Sequence, residues 1–250
     1  MIINLYAGHN PDGKIGAGEV GILKESTEAR KVRDFMNNIL LSRGYRVVDC
    51  TCENAIRKKD IVPKIAENIA LNESLINIGI HFNTSSTHQL RGVEIYVSDN
   101  LSEQSRIACN NILNHMSRQG FENNGIMFIH NNEELNTIKN LIIVNCCYID
   151  NIKDCELYSP NTVASAISRG IIDTFGTKEV NILYKVKVAI KQTFIRKGPG
   201  TDSNVSLDNR GKRISKKEGT TLTIIEEKNG WGKLKSGEGW INLRQVMKLS

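Results

Sequence analysis

The sequence predicts an α/β domain with a mostly parallel sheet flanked by helices on both faces, followed by a small all-β barrel. Residues 1–175 alternate apolar strand segments with amphipathic helix segments, which is typical of parallel sheets covered by helices. Residues 185–250 instead combine short alternating segments with dense glycine-containing turns, a pattern typical of small barrels. The charge divides at the same place, because residues 185–250 hold fifteen Lys and Arg against six Asp and Glu, a net of +9 in a chain whose total is +6.

The first domain is predicted to contain six strands and four helices. Short apolar runs predict the strands, at 2–6, 45–50, 75–80, 92–97, 126–129 and 141–146. Three-and-four spacing of apolar residues predicts the helices, at 26–43, 60–72, 102–118 and 161–175. In the first helix this spacing runs from Ala29 to Leu40, and Gly44 supplies the stop. Functional sites of such sheets gather where strands end, which makes His9, His81 and Asn145 candidate site residues.

The second domain is predicted to begin at residue 185, after a linker over 176–184. Its strands are expected at 185–190, 220–226, 232–235 and 239–242, between turns such as Lys197-Gly198-Pro199-Gly200 and Asn229-Gly230. A net charge of +9 over this stretch favours contact with polyanionic surfaces.

Composition argues against a membrane protein. Hydrophobic residues make up 40% of the chain and charged residues 24%, and no apolar run approaches the ~20 residues that cross a bilayer. The N-terminal MIINLYAGHN lacks a basic segment followed by a long apolar core, so we expect the protein to stay in the cytoplasm until it is released. The six cysteines are then expected to be reduced and buried rather than paired in disulfides.

Two histidines and a glutamate form a candidate metal site. His9 follows a strand in YAGHN, His81 ends a strand in IGIHFN, and Glu25 begins the first helix in GILKESTEAR. Two histidines and one glutamate form the ligand set of catalytic zinc sites that leave a fourth position open for water. The spacing is scattered and contains no HExxH, so two incidental loop histidines and a helix-capping glutamate are the alternative explanation.

The order of several segments adds a family resemblance. AGHN…GAGEVGILKE, then IHFNTSS…LRGVEIYV, then NLIIVNCCYIDN resemble the zinc-dependent N-acetylmuramoyl-L-alanine amidases of the type 3 family, especially clostridial and phage lysins. The resemblance implies zinc bound by His9, Glu25 and His81, with Glu28 as a less favoured alternative to Glu25. It also implies hydrolysis of the amide between N-acetylmuramic acid and L-alanine. The remaining histidines match no ligand position: His88, His115 and His130.

One position departs from the family pattern. The family's last strand ends in valine-glutamate, and this glutamate acts as general base and acid. Val144 matches the valine, but Asn145 stands in place of the glutamate. A carboxamide cannot take a proton from water at neutral pH, so an inactivating substitution, natural or introduced, is the favoured explanation. The alternative is a peptidoglycan-binding protein without catalysis, in which zinc positions substrate or stabilises the fold.

The second domain also resembles a known module. FIRKGPGTDSNV and NGWGKLKSGEGWINLRQVMKL resemble bacterial SH3-type domains, which implies an SH3-like barrel that binds peptidoglycan. Trp231 and Trp240 are candidate wall-binding residues, with core packing as the alternative, and Trp231 is expected nearer the surface. The expected partner is therefore the Gram-positive cell wall. Nucleic acid is disfavoured because no array of aromatic residues alternates with the basic ones.

Overall fold

The computed structural model describes residues 1–177, 182–207 and 212–249. The chain divides into two compact units, residues 1–36 with 45–177, and residues 37–44 with 178–250. The predicted linker, 176–184, lies partly outside the described residues. Among the residues that are described, no helix is both long and apolar enough to cross a membrane.

The part of the chain that holds the first unit, residues 1–177, contains six strands and six α-helices, and the last residues of the first helix are grouped with the second unit. The strands are β1 Ile2–Ala7, β2 Arg46–Asp49, β3 Asn77–Asn83, β4 Val93–Val97, β5 Asn123–Phe128 and β6 Leu141–Tyr148. The helices are α1 Glu25–Ser42, α2 Ile61–Ala70, α3 Glu103–Ser117, α4 Glu133–Thr137, α5 Ile152–Leu157 and α6 Pro160–Phe175. Every predicted strand and helix of this unit is present, whereas the sequence reading missed the short helices α4 and α5.

The strands form one sheet in the order β2-β1-β3-β6-β4-β5. Four of the neighbouring pairs are parallel, and only β4 and β6 pair antiparallel. The predicted mostly parallel sheet is therefore confirmed, with one reversal between β6 and β4. Strand β6 lies inside the sheet with all eight residues buried, which explains its almost uninterrupted apolar sequence.

Helices complete the core of this unit. On one face of the sheet, Ile61 and Ile65 of α2 pack with Tyr6, Leu141 and Ile143. Elsewhere α3 and α6 approach each other closely, because a Cβ on Gly170 of α6 would lie 2.6 Å from the backbone nitrogen of Ile112 in α3. Because a glycine lets the two helices approach closely, they pack tightly against each other and hold a fixed position over the strands that they cover.

All six cysteines are free thiols, and five of them are buried. Burial raises the pKa of Cys50 and of Cys109 to about 12 and raises that of Cys147 well above its usual value. These thiols are therefore neutral and packed as small apolar side chains.

The second unit contains antiparallel sheets. Five strands pair in the order β12-β11-β10-β7-β13, and two further strands, β8 and β9, pair with each other. Their bounds are β7 Tyr184–Val188, β8 Gln192–Phe194, β9 Ser215–Lys217, β10 Thr221–Lys228, β11 Trp231–Leu234, β12 Trp240–Asn242 and β13 Val246–Leu249. The core that they enclose consists of apolar residues from several strands and one loop: Val186, Val188, Ile195, Ile224, Leu234 and Ile241. The four predicted strands are present, and the short strands β8, β9 and β13 are additional.

The two tryptophans of this unit are equally buried. Trp231 and Trp240 are each 7% exposed, so the expectation that Trp231 lies nearer the surface is wrong. Trp231 begins β11, which is paired on both edges by β10 and β12, and an inner strand gives its side chains more neighbours than a loop does.

Candidate metal centre and active site

The loop after β1 positions His9. His9 has a φ of 66°, a left-handed conformation that is uncommon for residues other than glycine and often marks a functional site. Arg30 of α1 holds this loop, because its guanidinium donates to the backbone oxygens of His9 at 3.0 Å and of Cys52 at 3.1 Å. Asn10 fixes the next residues by donating to the carbonyls of Ile15 and Ala55, each at 2.8 Å.

Glu25, the first residue of α1, joins the two histidines. Its Oε1 lies 3.1 Å from Nε2 of His9 and 3.2 Å from Nδ1 of His81, and the ligand atoms of all three residues lie within 4.8 Å of one another. Backbone N–H groups hold the carboxylate in place, since Phe82 donates to Oε1 at 3.1 Å and Glu19 donates to Oε2 at 3.0 Å. The structure thus brings together the three residues that the sequence indicates as metal ligands.

Two glycines provide the space for this cluster. A Cβ on Gly8 would lie 2.5 Å from Nε2 of His81, a distance that real Cβ atoms do not reach. A Cβ on Gly18, whose φ is 80°, would lie 2.6 Å from Oε2 of Glu25. The glycines of AGHN and GAGE therefore allow backbone to approach the imidazole and the carboxylate closely.

The cluster stabilises positive charge. Burial alone would lower the pKa of His81, but the carboxylates of Glu134 and Glu25 outweigh it and raise this pKa to about 10. Burial would likewise raise the pKa of Glu25, yet hydrogen bonds to His81 and His9 bring it well below its usual value. A pocket with two imidazoles and an ionised carboxylate offers the nitrogen and oxygen ligands that zinc prefers, so the donor set fits a zinc ion.

The sequence reading missed Glu134. This residue of α4 is 9% exposed, and its Oε2 lies 3.1 Å from Nε2 of His81, on the opposite side of the ring from Glu25. The hydroxyl of Tyr6 in β1 donates to the same oxygen at 2.6 Å. A carboxylate that accepts from the outer nitrogen of a metal-binding histidine fixes the tautomer and orientation of the ring. One sequence feature could have indicated the helix that carries Glu134: Asn132 stands directly before two glutamates, which is a typical pattern for the start of a helix.

Asn145 lies beside His81 within the sheet. The two residues are register partners in the parallel pair of β3 and β6, inside these strands rather than beyond their ends. Asn145 is 3% exposed, and its Nδ2 has no hydrogen-bond partner among the described residues. A buried amide donor without a partner is costly in a folded protein, which suggests that this group serves a bound molecule.

The other residues considered from the sequence lie outside the cluster. Glu28 accepts a hydrogen bond from Tyr158 at 3.0 Å and pairs with Lys31 at 2.8 Å. The three further histidines each pair with an aspartate instead: His88 with Asp150, His115 with Asp173, and His130 with Asp99. Trp231 and Trp240 belong to the second unit.

Comparison with protein families decides the identity of the first unit. Residues 3–175 match the family described as N-acetylmuramoyl-L-alanine amidase. The chain belongs to this amidase family. The match covers the six-stranded sheet from the second residue of β1 onward, together with the helices, and it assigns peptidoglycan amidase function to the chain.

Solved amidase structures share the fold of this unit. The catalytic domain of the CD27L endolysin that targets Clostridia difficile is 18% identical, with a TM-score of 0.61 over 70% of this chain and 98% of that one. The catalytic domain of CwlV from Bacillus (Paenibacillus) polymyxa var. colistinus is 21% identical, with a TM-score of 0.59 over 71% of this chain and 99% of that one. AmiC2 of Nostoc punctiforme is 21% identical, with a TM-score of 0.57 over 69% of this chain and 96% of that one. No curated protein matches the sequence.

Proposed function

We propose that this amidase uses zinc bound by His9, Glu25 and His81 to hydrolyse the amide between N-acetylmuramic acid and L-alanine. One observation supports the metal most strongly: two imidazole nitrogens and a carboxylate oxygen lie within 4.8 Å of one another at the carboxyl-terminal side of β1 and β3. When bound at such a set, zinc activates water and polarises the carbonyl of an amide.

The protein's own residues orient this site. Backbone N–H groups of Phe82 and Glu19 direct the carboxylate of Glu25 toward the two imidazoles. Glu134, itself held by Tyr6, accepts from Nε2 of His81 and leaves Nδ1 to face Glu25. We therefore assign Glu134 and Tyr6 as positioning residues for the ligand His81.

Metal analysis of single variants tests the ligand set. The parent chain should hold one zinc ion, and His9→Ala, Glu25→Ala and His81→Ala should each lose it. Glu28→Ala is the matched control, because this neighbouring carboxylate of the same helix faces Tyr158 and Lys31. A full equivalent of zinc in purified His81→Ala protein would show that the ligand assignment is wrong.

A second candidate function follows from Asn145. If the amide at this position abolishes proton transfer, the protein binds peptidoglycan without cutting it. Asn145→Glu separates the two possibilities, because it restores the family's carboxylate. Lysis by Asn145→Glu but not by the parent would favour the binding protein, whereas lysis by both would establish a working amidase.

The second unit is proposed to bind the cell wall as an SH3-type domain. Its support is the small antiparallel architecture and the net charge of +9 over residues 185–250, which suits the anionic polymers of Gram-positive walls. Trp231 and Trp240 could contribute only a small accessible surface, since each is 7% exposed. Lys233 lies 5.8 Å from the ring of Trp240 and would add charge at the same surface.

The biological setting is proposed to be that of an endolysin, held inside the producing cell and acting on the wall at lysis. The resemblance of its segments to clostridial and phage lysins supports this setting. Fractionation of producing cells before and after lysis tests it, and accumulation of the protein in the culture medium of intact cells would contradict it.

A further inference from the structure

A second carboxylate lies in the same row of the sheet as the metal site. In the parallel pair of β3 and β6, His81 is the partner of Asn145. In the antiparallel pair of β6 and β4, Asn145 is the partner of Glu94. Register partners on neighbouring strands point to the same face, with Cβ atoms about 4.5–5.5 Å apart in antiparallel pairs. His81, Asn145 and Glu94 therefore line up across three adjacent strands.

Hydrogen bonds confirm that Glu94 faces the side of His81. Asn83, two residues after His81 on β3, donates its amide to Oε1 of Glu94. Tyr96, two residues after Glu94 on β4, donates its hydroxyl to the same oxygen at 2.7 Å. Both bonds are accepted by Oε1 and neither by Oε2. The carboxylate is thus fixed in orientation by two polar neighbours on one face of the sheet.

The surroundings of Glu94 suit a carboxylate that takes part in proton transfer. Glu94 is 6% exposed, close to the 8% of His81 and the 3% of Asn145, so all three residues of this row are buried. Within residues 1–177, no lysine or arginine forms an ion pair with Glu94. No fixed cation within these residues therefore competes for the oxygens of this carboxylate.

We propose that Glu94 replaces the missing glutamate of position 145 as the general base and acid, and that the Asn145 amide donates a hydrogen bond to the substrate's carbonyl oxygen. This assignment rests on the proposed amidase function.

The carboxylate of Glu94 accepts a proton from water as the water oxygen bonds to the carbonyl carbon. The carbon–nitrogen bond then breaks, and the same proton passes to the nitrogen of L-alanine. A carboxylic acid and an amine result, with water as the only co-reactant. Asn145 Nδ2, which has no partner among the described residues, is a donor for the oxygen that gains negative charge.

The test compares four forms of the full chain with zinc added: the parent, Glu94→Gln, Asn145→Glu, and the double variant that combines these two changes. The rate at which new L-alanine amino termini appear in purified walls is measured, together with bound zinc and thermal unfolding. Glutamine keeps the shape of Glu94 and an acceptor oxygen for Tyr96, but it cannot accept a proton. We expect Glu94→Gln to lose a factor of about 100 or more in rate while keeping its zinc. Glu67→Gln, at an exposed carboxylate of α2, should keep the parent rate.

The double variant guards against a structural effect of the glutamine. It should regain activity, because the carboxylate at position 145 then performs the transfer. A double variant that remains inactive while Asn145→Glu is active would show that Glu94 is structural and would overturn the proposal. The proposal would also be overturned if Glu94→Gln cut walls at the rate of the parent. The same holds if the parent were inactive while Asn145→Glu was active. Inactivity of both the parent and Asn145→Glu would instead refute the amidase function on which the assignment rests.

Discussion

At the scale of single residues, the contact between Glu134 and His81 gives a measurable prediction. Glu134→Gln removes the charge that holds Nε2 of His81, so zinc affinity should fall by about 10–100-fold. Tyr6→Phe should have a smaller effect in the same direction, because it leaves the carboxylate in place. Competition with a zinc chelator measures both affinities, and Glu133→Gln, the exposed neighbour on α4, is the control. A zinc affinity equal to the parent's in Glu134→Gln would show that Glu134 does not position His81.

Gly8 allows a second test at the same scale. The added methyl group of Gly8→Ala would overlap the imidazole of His81, so the ring must move or β1 must shift. We expect loss of stoichiometric zinc and a decrease of about 1–3 kcal/mol in the free energy of unfolding. Gly125→Ala is the control: its φ is 86°, but no described residue other than its chain neighbours lies within 4 Å of the added Cβ, so the change should cost stability without losing zinc. Full zinc occupancy in Gly8→Ala would contradict the steric argument.

Among the structural elements, helix α4 carries a site residue that could not be predicted from the sequence. His9, Glu25 and His81 could be proposed from residue type, strand ends and family resemblance, and the structure places them together. Glu134 could not, because a helix of only five residues, Glu133–Thr137, has too few turns to show apolar periodicity. The pairing of Glu94 with Asn145 on neighbouring strands could not be predicted from the sequence either. It depends on β4 pairing antiparallel beside β6, and strand order is a property of the folded sheet rather than of any one segment.

The cap of α4 is therefore predicted to influence the metal site. The side chain of Asn132 accepts a hydrogen bond from the backbone N–H of Leu135 at 3.0 Å and so begins the helix that holds Glu134. Asn132→Ala should lower the free energy of unfolding by about 1 kcal/mol and should weaken zinc binding through disorder of Glu134. Asn132→Asp keeps an acceptor oxygen, so it should retain the stability and the zinc affinity of the parent. Unfolding by denaturant and zinc titration check the pair, and equal zinc affinity in all three forms would show that α4 is held without its cap.

At the scale of the whole molecule, the division into units predicts an independent metal-binding domain. A fragment of residues 1–177 should fold and keep one zinc, because the six-stranded sheet and its helices lie within it. The fragment should include Gly176, since the hydroxyl of Tyr45 donates to its carbonyl oxygen. Circular dichroism and metal analysis provide the readout. A fragment that fails to fold would mean that residues of the second unit complete its core.

The basic second unit should show salt-dependent wall binding. Residues 185–250 should bind isolated Gram-positive walls, and affinity should fall as the Debye length shortens from about 8 Å at 0.15 M salt to about 3 Å at 1 M. A residual plateau is expected if a groove also recognises the wall by hydrogen bonds and apolar contact. Complete loss at high salt would leave only a cationic surface, and equal affinity for DNA would indicate non-specific binding of polyanions.

The zinc amidase function is tested by identifying the bond that the full chain cuts in purified Gram-positive walls. The parent protein should release new amino termini of L-alanine, a chelator should stop the release, and added zinc should restore it. New reducing sugar ends, or amino termini of any other residue, would indicate a different bond. Release that continues at the same rate after zinc has been removed would contradict the role assigned to His9, Glu25 and His81.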